Sequence, residues 1–133
     1  MRLGCFAEVY GDAGVIEAAE IRRRSLFRLS STRELQLLRL ENGGVQKAFR
    51  LDSRICNTKR YAVSQAWGLA FHEWYPEADG IRYKSRHASP GLNVCLFLDR
   101  CRDAVTAIEV GRLTGLRKTV AAARRKYHLD SQG

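Results

Sequence analysis

The chain is short of the patterns that announce the commonest chemistries. It contains no G-x-G-x-x-G, no P-loop and no G-x-S-x-G, which excludes the usual glycine-cradled nucleotide sites and the nucleophile elbow. Its four cysteines (Cys5, Cys56, Cys95, Cys101) form no C-x-x-C pair and no dense framework, so neither a zinc ribbon nor a disulfide scaffold is expected. His72, His87 and His128 are scattered and unmatched by cysteines or paired carboxylates, so no metal is expected. There is no internal repeat, low-complexity tract or Pro/Gly/Ser linker. No stretch approaches the ~20 apolar residues of a membrane span. The opening "RLGC" lacks the apolar run of about 7–15 residues that a signal peptide needs. The expectation is a reduced, cytoplasmic protein without a membrane partner.

Acidic residues are scarce as well. Against 23 Lys+Arg stand 14 Asp+Glu, a formal charge of +9, which favours an anionic partner or a merely soluble basic surface. What remains is ordinary for a globular domain. The length of 133 residues suits one domain, and 45% hydrophobic residues with five Phe, five Tyr and two Trp suffice for a core. "GCFAEVYGDAG" (4–14) reads as a short helix ended by glycine, or the tail of a longer one. "IRRRSLFRL" (21–29) has no clear period. "ELQLLRL" (34–40) reads as a strand running into a Glu-Asn-Gly-Gly turn.

The clearest helix is "TKRYAVSQAWGLAFHEWY" (58–75), with Asn57 or Thr58 to cap it and Pro76 to stop it. Strands over 80–86 and 93–98 are expected to be antiparallel neighbours. Near the end, Leu116, Val120, Ala123 and Tyr127 make a helical apolar stripe. Strands and helices mix without a regular βαβ repeat, which indicates an α+β fold.

Three features could carry chemistry. In "DGIRYKSRHASPGLNVCLF" (79–97), Ile81, Tyr83 and Ser85 share one strand face, while Arg82, Lys84 and Arg86 share the other. Ser85 thus puts a hydroxyl where the pattern asks for an apolar residue, able to bind a ligand or fix a carboxylate. The plainer reading is that Ser85 begins the turn "SRHASPG". Glu8 sits among apolar neighbours in "CFAEVY", either as an exposed helix position or as a placed charge, since an unpaired buried carboxylate is costly. Between residues 110 and 129 lie Arg112, Arg117, Lys118, Arg124, Arg125 and Lys126 with no acidic residue. That run could meet phosphates or simply be a solvated face; with only Tyr127 for stacking, nucleic acid is not the favoured partner.

Taken in order, "FAEVYGD", "ELQLLRL", "SQAWGLAFHEW", "ADGIRYKSRH" and "NVCLF" closely resemble the RES-domain family, from about Cys5 to Tyr127. The resemblance implies a single RES-like domain over residues 1–133. Its fold would be similar to ADP-ribosyltransferase-like toxins: α+β, with small mixed or antiparallel sheets and flanking helices. It implies a toxin of a bacterial toxin–antitoxin pair that uses NAD as substrate. Such proteins degrade NAD by hydrolysis or phosphorolysis, or transfer ADP-ribose to a protein; the expected partners are a cognate antitoxin and a second copy in a homodimer. By matching motifs, Glu8 is the family glutamate and Ser85 the family serine, the two catalytic candidates. Tyr83 and Arg86 are the cofactor-binding candidates beside them.

The family's arginine motif lies upstream of the glutamate, whereas only seven residues precede Glu8 here, so the chain is expected to be N-terminally truncated relative to its relatives. Arg39 stands where relatives usually carry an aspartate. The competing expectation, from a different class, is a non-catalytic basic module that binds an acidic protein or nucleic acid.

Overall fold

The computed structural model of the chain describes residues 4–10, 13–48, 61–84 and 91–132. These residues form two compact units, one from residues 1–30 with 106–133 and one from residues 31–105. The fold is α+β: helices alternate irregularly with short strands in small sheets. Among the described residues, no helix is long and apolar enough to cross a membrane.

The first unit joins the two ends of the chain. Helix α1 (Gly4–Tyr10) leads to strand β1 (Val15–Glu17), helix α2 (Ala18–Arg23) and strand β2 (Ser25–Ser31). The chain returns through β6 (Val105–Arg112), α6 (Arg117–Tyr127) and β7 (Asp130–Gln132). Strand β1 pairs in parallel with β7, and β2 pairs with β6. The expected stripe of α6 is what holds the unit. Val120 and Ala123 are buried with Phe6, Tyr10, Ile16, Leu113 and Leu129, and Leu116 and Tyr127 lie against them. Helix α6 ends at His128, whose φ of 52° is left-handed, a conformation that a non-glycine residue adopts at a cost. The uncertain stretch 21–29 divides: it finishes α2 and then becomes β2, because Arg24 takes extended backbone between them.

The second unit is a three-stranded sheet against a helix. Strand β3 (Leu37–Arg39) pairs in parallel with β4 (Gly80–Lys84), which pairs antiparallel with β5 (Leu92–Leu96). The strand expected over 34–40 is therefore shorter than its apolar pattern. The turn expected at Glu-Asn-Gly-Gly becomes a helix after two residues: α3 (Gly43–Ala48) starts where the Asn42 side chain accepts from the Gly44 N–H at 2.8 Å. Helix α4 (Tyr61–Trp74) stops before Pro76 as expected; the start proposed at 57–60 lies outside the described residues. Phe71, the helix's fully buried residue, meets Leu40, Ala78, Ile81 and Phe97 in a core flanked by Leu38, Val45, Trp67, Tyr75 and Tyr83. Burial of a side chain such as Phe71 contributes roughly 1.5–3 kcal/mol.

Strand β4 is placed by its own first residues. The Asp79 carboxylate accepts two hydrogen bonds from Arg33, both at 2.7 Å, and one from the Gln36 N–H at 2.9 Å. Gly80 then lies so close to β5 that a Cβ there would come 2.3 Å from the Cys95 carbonyl oxygen. Only glycine permits that approach. From the other side, Arg100 of α5 (Leu98–Cys101) donates to the carbonyls of His72, Tyr75 and Ala78, which satisfies the last turn of α4. Asp79, Gly80 and Arg100 thus set where the strand carrying Tyr83 begins.

Candidate functional site

The site begins from the alternation of β4. Ile81 is buried in the core and Tyr83, two residues on, is half-buried against the same core, so both occupy the face turned toward α4. Across the ladder, Ile81 stands opposite Cys95 and Tyr83 opposite Asn93. Ser85 follows Lys84, the last residue of the strand; Ser85 and Arg86 lie outside the described residues. Glu8 falls within α1, in the other unit, and its side chain also lies outside the described residues. Of the four candidates, Tyr83 is the one whose surroundings the structure describes.

Tyr83 is supported from behind. Arg82, on the opposite face of β4, donates from Nε to Oε1 of Glu41 at 2.8 Å and from Nη2 at 2.5 Å. Arg39 donates to the same oxygen at 3.1 Å. Burial works to raise the Glu41 carboxyl, but Arg82, the residue's own backbone N–H and Arg39 outweigh it, and the net direction is down. Arg39 is thus paired locally. It serves the Glu41 network that fixes β3 to β4. Glu41 Oε2 is buried without a hydrogen-bond partner, so the network leaves one acceptor unused.

Among the described residues of the unit, Asp79 is the carboxylate held furthest below its ordinary range. The Arg33 fork comes first, then the Gln36 N–H, and together they hold it at about 2 against burial. Its role is to anchor the strand; it does not act as a general base, since it is 5% exposed and fully hydrogen-bonded on both oxygens.

Sequence reasoning passed over Asp79, Gly80, Glu41 and Asn93. For the first two, a signal was there: an Asp-Gly pair immediately before an alternating strand. For Glu41 there was none, because its partner Arg82 is 41 residues away. Asn93 was read as part of an apolar strand; its Nδ2 is buried and has no hydrogen-bond acceptor.

Two other features remain distinct from this site. An open apolar groove of about 450 Å³ runs along α4 between Ala62, Val63, Ala66, Trp67, Ala70 and Trp74. Among the described residues, Tyr83 is not part of its lining. On α6, Arg124 turns inward and donates to the Ile16 carbonyl at 3.4 Å, with its Nε buried and unpartnered. The basic run at 112–126 is therefore less of a continuous outward face than its sequence suggests. Among the described residues, no three His, Cys, Asp or Glu side chains gather as a metal site requires.

Comparison with known proteins adds one positive finding. A family model described as the RES domain matches residues 2–124 of the 133, a span that includes both the Glu8 segment and the strand leading into Ser85. No curated protein and no solved structure matches the chain.

Proposed function

The chain belongs to the RES-domain family, and from that premise we propose that it is a toxin domain that cleaves the nicotinamide–ribose bond of NAD. The observation that carries this reading is the family match across residues 2–124, a span that contains both "AEVY" and "DGIRYKSR". One unit carries Glu8 and the other carries β4.

Breaking the bond leaves positive charge on the ribose, in an oxocarbenium-like transition state. A carboxylate fixed in advance stabilises that charge, and this is the role of Glu8. When water is the acceptor, the same carboxylate takes its proton. The role of the Ser85 hydroxyl is to hold the substrate through a hydrogen bond. Tyr83 lines the nicotinamide end, and the Arg86 guanidinium suits the pyrophosphate because its forked donors match phosphate oxygens. Whether water, phosphate or a protein side chain receives the ADP-ribose defines the subclass. A cognate antitoxin is the neutralising partner, and the strongly basic chain suits an acidic surface on it.

The test is nicotinamide release from NAD by the purified chain. Wild type is expected to release it, Glu8→Gln to lose at least ~100-fold in rate, and Ser85→Ala about 10-fold or more, magnitudes usual for a positioned charge or hydroxyl. A folded wild-type chain that releases none, with phosphate and protein acceptors both supplied, overturns the reading.

A further inference from the structure

The buried donor on β5 has a use that the fold alone does not give it. Asn93 stands directly across the ladder from Tyr83, and its side chain shares the face of Ile81 and Cys95. In the strand "LNVCL" it is the one strongly polar residue among apolar ones. Its Nδ2 is buried with no acceptor, an arrangement that costs stability and that an apolar residue of similar size would avoid. A donor held unpaired beside an aromatic ring, on the strand pair that leads into Ser85, is poised for an acceptor supplied by a ligand.

The surroundings specify the acceptor. The donor is neutral, and its cross-strand neighbours are an aromatic ring and apolar side chains. The cations of β4, Arg82 and Lys84, lie on the opposite face, and Arg82 is already bound to Glu41. Among the described residues of β4 and β5, no cation shares the Asn93 face to meet a pyrophosphate. A planar ring with one carboxamide finds both an aromatic wall and a single amide donor. We propose that Asn93, juxtaposed with Tyr83, donates from Nδ2 to the carboxamide oxygen of the nicotinamide group and so helps select NAD by that end. This assignment rests on the NAD-cleaving reading above.

The experiment compares wild type with Asn93→Leu, which removes the donor and keeps the branching at Cγ. Asn93→Leu is expected to melt at or above the wild-type temperature, because no satisfied hydrogen bond is lost. Its KM for NAD rises about 10-fold or more, the factor of one specific hydrogen bond to substrate, while kcat changes less. Inhibition by free nicotinamide weakens by a like factor, and inhibition by ADP-ribose stays as in wild type. Should Asn93→Leu fail to fold, the side-chain amide resonance of Asn93 in the wild-type chain decides: it is expected to shift with nicotinamide and not with ADP-ribose. Unchanged KM and nicotinamide inhibition, a fall in melting temperature with normal kinetics per folded molecule, or an unmoved resonance each overturns the assignment while wild-type turnover keeps the NAD reading. A wild type that neither releases nicotinamide nor shifts that resonance overturns both.

Discussion

The Asp79 anchor makes a quantitative claim that is independent of any activity. Its carboxyl is lowered from 3.8 to about 2, first by the Arg33 fork and then by the Gln36 N–H. At ~1.4 kcal/mol per pH unit, that displacement corresponds to roughly 2.5 kcal/mol of native-state stabilisation. Arg33 is 47% exposed, so solvent screens its share, and ~1–2 kcal/mol is the better expectation. Asp79→Asn keeps the shape, removes the charge and points an N–H group at a guanidinium or at the Gln36 N–H. It should therefore lower the urea-unfolding free energy by ~1–2 kcal/mol at pH 6. A carboxylate whose native pKa lies below its unfolded value stabilises fully above about 3.8, and that contribution fades as pH falls through about 2. Wild type and variant should thus converge between pH 4 and pH 2. In a double-mutant cycle with Arg33→Met, the coupling should be at least ~1 kcal/mol. Equal stabilities at pH 6, or a gap that persists undiminished at pH 2, would refute the anchor.

Three further outcomes follow from the same geometry. Gly80→Ala drives a methyl group into the Cys95 carbonyl, so it should cost at least the ~1–3 kcal/mol of an overpacked site and weaken hydrogen-exchange protection across β4 and β5 first. Arg82→Met removes two donors from a mostly buried carboxylate and should cost ~2–3 kcal/mol, whereas Arg39→Met, at an exposed position, should cost no more than ~1 kcal/mol by denaturant unfolding. His128→Gly relieves a left-handed residue after α6 and should raise stability by ~0.5–1 kcal/mol, seen as a higher melting temperature.

What could be read from the sequence was local. Apolar spacing located α4 and α6, and alternation located β4 and β5 as antiparallel partners. What could not be read depends on contacts between distant residues. Strands β1 and β7 are three residues each, lie at opposite ends of the chain, and exist because each supplies the other's backbone partners. β6 was missed because "VTAIEVGR" keeps no strict alternation and most of its residues are exposed, so no buried face marks it. Arg33 and Asp79 are 46 residues apart, and nothing near either one names the other. The candidate site shows the same division. Motif likeness picked out Glu8, Tyr83, Ser85 and Arg86, whereas the residues that hold Tyr83 in place emerged only from packing.

The motif "DGIRYKS" can therefore be divided by position. Asp79 and Gly80 face inward to loops and backbone, with one gripping Arg33 and the other admitting β5, so conservative substitutes there are expected to cost stability. From Ile81 onward, parity takes over. Ile81 and Tyr83 turn to the core face, and Arg82 on the other face turns to Glu41. Core packing satisfies Ile81, and Glu41 satisfies Arg82. A strand needing only to be stable would continue its inward face with another apolar residue and place one opposite at residue 93 as well. This one puts Tyr83 against an unpaired amide and follows with Ser85. Stability is thus secured at the start of β4 and given up at its end, which is the distribution expected when the far end of a strand is reserved for a ligand.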